Sequence, residues 1–300
     1  MKKHLLVDGY NLAYRSFYAL PHLQTKGGFP SNAITGWLRT LLKLQEREKP
    51  HAIYAFFDLG GGQRQLELLP TYKAQRKESP EAFLKQIPLI KELSTLMGFA
   101  VIEKEGVEAD DCIASMAYNL TQDTQNAVYI VSADKDFAQL VSDKVYQLLP
   151  PPTPKQGPDW ICLDKNGVEA KWGIAPCQIV DYLALIGDSS DNIPGLPGVG
   201  PKTALSWLGT HQSLQGILDA HTSLRPERFQ SLILSHQDLL KRNLDLITLR
   251  KNIDLPPIQS PAADFEKLAE RLEALEIFSL AKMFFKKSTK QSSFDFNNEL

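Results

Sequence analysis

Val128-Tyr129-Ile130-Val131-Ser132-Ala133-Asp134-Lys135-Asp136 is a continuous β-branched and aromatic run that ends in two carboxylates. Such a run reads as a strand buried on both faces. Two earlier stretches repeat the form: Leu5-Leu6-Val7 leads to Asp8, and Ile53-Tyr54-Ala55-Phe56-Phe57 leads to Asp58. Helical patterns lie between them, from Ala33 to Glu48 and from Phe83 to Met97. Strand and helix in alternation predict an α/β fold with a largely parallel central sheet flanked by helices. In such sheets ligands bind beyond the carboxyl ends of the strands. Asp8, Asp58 and Asp134 would all sit at that edge.

More acids follow the same logic. Glu108, Asp110 and Asp111 open a helical pattern carried by Ile113, Met116, Ala117 and Leu120. Glu108 and Asp111 are three apart, so a helical start turns both the same way and sends Asp110 elsewhere, toward a second ion. Asp188 and Asp191 complete the set with Asp136. Taken singly these are ordinary features: an acidic first turn, a solvated turn, a helix cap. Taken together at one sheet edge they repel one another and resist ionising unless a cation joins them. Hard oxygen donors in this number suit Mg²⁺ or Mn²⁺. Two such ions about 3.5–4 Å apart are the usual device for phosphodiester hydrolysis, so the residues predict a metal-dependent nuclease.

The chain has 300 residues, 43% apolar and 23% charged, with a formal net charge of -2. These are the values of an ordinary globular protein, and any nucleic-acid contact must use local basic patches. Cys112, Cys162 and Cys177 form no Cys-x-x-Cys pair, which argues against a disulfide framework and a zinc site. Asp8 ends the first apolar run too early for a signal peptide, and no segment reaches the length of a membrane span. A cytoplasmic location is the default expectation.

Pro194-Gly195-Leu196-Pro197-Gly198-Val199-Gly200-Pro201-Lys202-Thr203-Ala204 carries a second signal. Gly198 and Gly200 permit a tight turn with exposed N–H groups, and Pro201 suits the first position of a helix. A helix start with free N–H groups attracts phosphate. This is the sequence form of a helix-hairpin-helix element, which grips a DNA backbone without reading bases. Gly60-Gly61-Gly62 precedes Arg64, Tyr72, Lys73, Arg76 and Lys77. Here the glycines would give mobility, the cations phosphate attraction, and Tyr72 a surface for stacking on a base. Lys73 and Arg76 are expected close together on one helix. The proline-rich stretch from Pro150 to Pro158 marks a boundary. The expected units are residues 1–175 with a flexible segment at about 60–81, a helical region at 176–285, and a flexible polar tail at 286–300.

These motifs resemble the 5′-nuclease (flap endonuclease) superfamily, most closely the 5′–3′ exonuclease domain of bacterial DNA polymerase I. The carrying segments are Leu6-Val7-Asp8-Gly9, Tyr72-Lys73-Ala74-x-Arg76, Glu108-Ala109-Asp110-Asp111, Asp134-Lys135-Asp136, Gly187-Asp188-Ser189-Ser190-Asp191-Asn192-Ile193-Pro194-Gly195, and the glycine hairpin through Ala204. They stand in the family's order across most of residues 4–210. The resemblance implies a PIN-like fold and a nuclease that engages a free 5′ end or 5′ flap on duplex DNA, with RNA–DNA hybrid as a further substrate. It implies that Asp8, Asp58, Glu108 and Asp111 hold one Mg²⁺, that Asp134, Asp136, Asp188 and Asp191 serve a second, and that Asp110 lies near both. Lys73 and Arg76 would add positive charge at the scissile phosphate. Residues 60–81 would form an arch over the 5′ strand, and the glycine hairpin would bind duplex, in this family often with K⁺.

Two departures stand out. Ala133 occupies a position where the family usually has Gly, and Gln65 follows Arg64 where the family often has His. In the tail, Gln291-Ser292-Ser293-Phe294-Asp295-Phe296 resembles a bacterial sliding-clamp peptide, which would dock its aromatics in an apolar groove. Two alternative readings make different demands on the sequence. A catalytically weak DNA-binding scaffold of the same family would lack acids, and none is missing. A PIN-type ribonuclease is typically shorter and lacks the glycine hairpin.

Overall fold

The computed structural model describes residues 1–20, 23–151, 160–258 and 260–298, with side chains described up to residue 289. A six-stranded sheet is built from β1 (Lys2–Asp8), β2 (Ala52–Leu59), β3 (Ala100–Glu105), β4 (Asn126–Val131), β5 (Val145–Leu149) and β6 (Ile161–Leu163). The spatial order is β3-β2-β1-β4-β5-β6. β1 to β5 run parallel and β6 closes one edge antiparallel. β1, β2, β4 and β6 follow the apolar runs of the sequence. β3 and β5 were not visible there, because Glu103, Lys104, Glu105 and Gln147 interrupt their apolar residues.

Side-chain alternation divides the sheet between two layers. Leu5, Val7, Ile53, Ala55 and Phe57 face one core with Trp37, Leu38 and Leu41 of the helix Asn32–Glu48. Leu6, Tyr54, Phe56, Val128 and Ile130 face the other, with Cys112, Ile113 and Met116 of the helix Ala109–Thr121. The chain moves from β1 outward to β2 and β3, then crosses back through that helix to β4 on the other side of β1. The strand order therefore reverses between β1 and β4, and such a switch point opens a crevice at the carboxyl ends.

A third core unites Val168, Ile179, Leu183, Ala204, Trp207, Leu208, Ile217, Phe229, Ile233 and Leu240, contributed by helices between Lys165 and Ile247. The last helices do not join it. Leu268 and Leu272 of Phe265–Ala274, with Leu280 and Phe284 of Phe278–Asn298, complete the first core beside the sheet. Residues 176–285 thus divide between two packing units. The last helix runs on to Asn298, so residues 286–298 continue a helix where the sequence predicted a flexible tail. The side chains of the clamp-like hexapeptide lie outside the described residues.

Candidate metal and nucleic-acid site

Asp8 is the last residue of β1 and caps the helix Gly9–Ala19, accepting from Asn11 N at 3.1 Å. The turn from strand to helix is tight: a Cβ on Gly9 would stand 2.4 Å from the Phe56 carbonyl oxygen. Only a glycine fits there. Ser132, just past β4, donates its hydroxyl to Asp8 Oδ2 at 2.7 Å and accepts from Asp134 N at 3.0 Å. It ties together the acids of two strand ends. Asp134 then caps the turn that follows, accepting from Asp136 N at 3.0 Å. At the end of β2, Asp58 accepts from Ala109 N at 2.7 Å and so fixes the start of the helix Ala109–Thr121. Asp8, Asp58, Asp110 and Asp134 line one cleft of about 790 Å³.

A second group stands beside it. One carboxylate oxygen from each of Asp136, Asp188 and Asp191 lies within 4.8 Å of the others. Asp188 and Asp191 are presented by a short hairpin of β7 (Gly187–Asp188) and β8 (Ile193–Pro194). Asp188 Oδ1 accepts from Lys135 Nζ at 2.7 Å and from the Ser190 hydroxyl at 2.6 Å. Asp191 accepts from Arg76 Nη2 at 2.6 Å and from the Tyr72 hydroxyl at 3.1 Å. Asp136 Oδ1 is buried and has no hydrogen-bond partner among the described residues. A buried carboxylate oxygen without a donor is costly, and a cation among these three acids would satisfy it.

The protonation of the site points the same way. Burial, then repulsion from Asp134 and Asp58, pushes the Asp8 carboxyl up to about 7 against the hydrogen bonds from Ser132 and Asn11. Burial and then the neighbouring acids hold Asp110, Asp134 and Asp136 above the usual carboxylate range. Burial would raise Asp188 too, but its bonds from Lys135 and Ser190 outweigh that and hold it low. The cluster therefore cannot carry its full charge at neutral pH without cations. The residues present fit hard divalent ions.

The cations of the glycine-led segment sit against these acids. Lys73 Nζ lies 2.5 Å from Glu108 Oε1. Burial alone would lower the Lys73 ammonium, but Glu108 and Asp191 reverse this and hold it above its ordinary value. Two expectations are corrected here. Lys73 and Arg76 do not share a helix, because Lys73 is in the left-handed region at φ 54° within a run of turns. Tyr72 offers no stacking face: its ring is buried, and its hydroxyl bridges Glu108 and Asp191. Arg64 is engaged with the Asp245 carbonyl at 2.9 Å. Lys77 does line the cleft.

Asp111 departs from the expectation as well. Both its oxygens are taken by Arg250, and Asp110 is the acid that joins Asp8, Asp58 and Asp134. The physical reason is local. Glu108 is the cap before the helix, with extended backbone (φ -68°, ψ 146°), so the helical three-residue rule does not apply to it.

The two departures from the family pattern each find a local partner. Ala133 has no positive φ and donates its N–H to Asn11 Oδ1 at 3.2 Å. Gln65 is buried and donates to Glu108 Oε2 at 3.0 Å. No role was legible in the sequence for Ser132, Lys135 or Arg250, and Gln65 stood out only as a departure from the family pattern. Tyr10, Tyr14 and Tyr18 also line the cleft from one helix face, and their four-residue spacing was a readable signal. In the glycine hairpin, Gly198 adopts φ 76° and Val199 is buried. Gly200 stands at the cap of the helix Pro201–His211, where no side chain fills the cap. Lys202 is exposed beside it and Thr203 half-buried.

Comparison with known proteins agrees with this architecture. The family model described as "5'-3' exonuclease, N-terminal resolvase-like domain" matches residues 3–173, and "5'-3' exonuclease, C-terminal SAM fold" matches residues 174–270. The chain is 38% identical over 301 residues to a 5'-3' exonuclease of Aquifex aeolicus, covering 98% of this chain and all of that one. It is 39% identical over 282 residues to the thermostable DNA polymerase I of Thermus caldophilus, covering 93% of this chain but only a third (33%) of the polymerase. A bacteriophage T5 flap endonuclease, solved in a pseudo-enzyme-product complex with DNA and metal ions, shares the fold with a TM-score of 0.68 at 22% identity, over 96% of this chain and 98% of that one. Among the described residues no helix is long and apolar enough to cross a membrane.

Proposed function

The chain belongs to the 5′-3′ exonuclease family, and on that premise we propose that it is a structure-specific 5′ nuclease. It would act as a 5′–3′ exonuclease and 5′ flap endonuclease on DNA, with RNA–DNA hybrid as a further substrate, in cytoplasmic replication and repair. The observation that carries this reading is the meeting of two acid groups at the β1/β4 switch point, one of them holding the orphaned oxygen of Asp136.

Asp8, Asp58, Glu108 and Asp110 would hold one divalent ion, and Asp136, Asp188 and Asp191 a second, with Asp134 between them. Mg²⁺ is the favoured ion and Mn²⁺ its substitute. Bound there, such ions neutralise developing charge and activate water for phosphodiester hydrolysis. The rest is done by this chain's own side chains. Lys73 and Arg76 already lean on Glu108 and Asp191, and a phosphate arriving between them would take over these cations. The Tyr10–Tyr14–Tyr18 face offers rings to unpaired bases. Lys77 adds charge at the cleft. The turn of Gly198, Val199 and Gly200, with Lys202 and Thr203, would hold the phosphates of the duplex, with K⁺ as a bridging ion. A sliding clamp is the partner suggested for the tail.

The test is a 5′-labelled flap on a duplex oligonucleotide, with Mg²⁺ and with chelator, beside Asp134→Ala. Metal-dependent release near the junction, lost in the variant, is the expected result. Flap binding without release by the parent would overturn the nuclease reading in favour of a scaffold.

A further inference from the structure

We propose that a second cleft, beside the β7–β8 hairpin, is a phosphate-binding subsite whose cation is Arg242. The cleft has a volume of about 420 Å³ and is lined by Thr71, Gln75, Asp188, Ser189, Asn192 and Arg242, among others. Arg242 lies on the helix Gln237–Ile247. Its Nε is buried and has no hydrogen-bond partner among the described residues. A guanidinium carries five donors and stays charged at every physiological pH. A ligand in the cleft cannot reach the closed Nε, so an anion there would pair with the Nη donors of the same charged group.

The surroundings favour an anion with several oxygens. Thr71 and Ser189 bring hydroxyls. The one carboxylate among the lining residues, Asp188, already receives Lys135, the Ser190 hydroxyl and the Ser190 N–H. It therefore does not claim Arg242. The walls are fixed. Asn243, next to Arg242, donates to the carbonyls of Ala184 and Pro194 at 3.1 and 2.7 Å and clamps its helix to the hairpin. On the other side Gln75 donates to Asn192 Oδ1 at 2.9 Å, and Asn192 donates to the Thr71 carbonyl at 2.7 Å. A planar guanidinium carried on a helix fixed this way suits the forked oxygens of a phosphate.

Asp188 belongs both to this cleft and to the acid trio. A phosphate seated on Arg242 is then a near neighbour of the reacting one. We assign it to the strand's own backbone, so that Arg242 sets how the strand is registered against the acids. That assignment of the ligand rests on the nuclease reading; the phosphate chemistry of the cleft does not.

The experiment compares the full chain with Arg242→Gln and Arg242→Lys. Flap DNA binding is measured with chelator over a range of salt. Arg242→Gln is expected to raise Kd about threefold to tenfold and to lower the slope of log K against log salt by about 0.7–0.9, one phosphate contact. Arg242→Lys is expected to keep the slope. In parallel, thermal unfolding is followed in inorganic phosphate against chloride of equal ionic strength. Phosphate is expected to stabilise the parent more than Arg242→Gln. Parental Kd and slope in Arg242→Gln overturn the strand assignment, and equal phosphate stabilisation overturns the subsite itself. If the parent binds no flap DNA, the nuclease reading fails while the phosphate comparison still decides the cleft. Should Arg242→Gln not fold, Thr71→Val on the opposite wall carries the Kd and phosphate comparisons, and Arg242→Lys the salt slope.

Discussion

Arg250 holds Asp111 from three sides: Nη2 and Nε lie 2.6 and 2.7 Å from Oδ2, and the Arg250 N–H lies 2.8 Å from Oδ1. Asp111 is buried and its partner only partly exposed. The Ser115 hydroxyl extends the joint, donating to the Arg250 carbonyl at 3.0 Å and accepting from Ile253 N at 3.0 Å. The segment after the helix Gln237–Ile247 is thereby fastened to the helix Ala109–Thr121, which presents Asp110 to the cleft. Arg250→Ala should lower stability by about 3 kcal/mol, because it leaves a buried carboxylate unpaired. Denaturant unfolding would measure it, and a change under about 1 kcal/mol would show that water reaches Asp111 freely.

The same geometry separates two adjacent acids. Asp110→Asn should slow flap cleavage by at least about 100-fold, since Asp110 shares its cleft with Asp8, Asp58 and Asp134. Asp111→Asn should keep most of the parental rate at temperatures where it stays folded. Comparable losses in single-turnover assays would return Asp111 to the ion-binding set.

Lys73 occupies Glu108 Oε1, so a cation placed there should compete with it. Lys73→Ala should tighten divalent-ion binding in the absence of DNA, read by calorimetry, because it removes the ammonium from Glu108 Oε1. It should also slow cleavage by about 100-fold, through loss of positive charge at the phosphate. Weaker ion binding in the variant would mean that Lys73 positions Glu108 rather than competing for it.

Without metal, the acids of the site make stability depend on pH. The Asp8 carboxyl stands near 7 in the folded chain against 3.8 in a model peptide, with burial as the first cause. Asp110, Asp134 and Asp136 are raised in the same direction. A raised folded pKa adds stability that is complete below the unfolded value and disappears as pH climbs through the folded one. The metal-free protein should therefore lose melting temperature as pH rises from about 4 to above 7 through these groups. Saturating Mg²⁺ should recover most of the loss at pH 8. A metal-free melting temperature that rises across this window would contradict the raised values.

The hairpin that presents Asp188 and Asp191 has no room for a side chain at Gly195. A Cβ there would stand 2.3 Å from the Ile186 carbonyl carbon and 2.5 Å from Gly187 N. Gly195→Ala should cost about 3 kcal/mol or more and weaken divalent-ion binding with it. Thermal unfolding and calorimetry of one preparation would show both effects.

The sequence by itself determined the three adjacent strands β2, β1 and β4 and the acids that crowd their ends. Val7-Asp8, Phe57-Asp58 and the run from Val128 to Asp134 each combine a doubly buried strand with a terminal carboxylate, and that pairing needs no tertiary knowledge to read. The glycine hairpin was legible for a similar reason, since Gly198, Gly200 and Pro201 constrain the backbone locally. What the tertiary structure alone decided is which partner each charged side chain meets. Asp111 turns to Arg250, 139 residues away, and Tyr72 turns inward to bridge Glu108 and Asp191, 36 and 119 residues away. Lys73 reaches Glu108 from a left-handed turn that no propensity favours for lysine. The last helices close the first core, although their sequence continues a helical region. Periodicity reports which face of an element is buried. It carries no information about what stands opposite, because long-range ion pairs are chosen by packing between elements and by the need to neutralise buried charge.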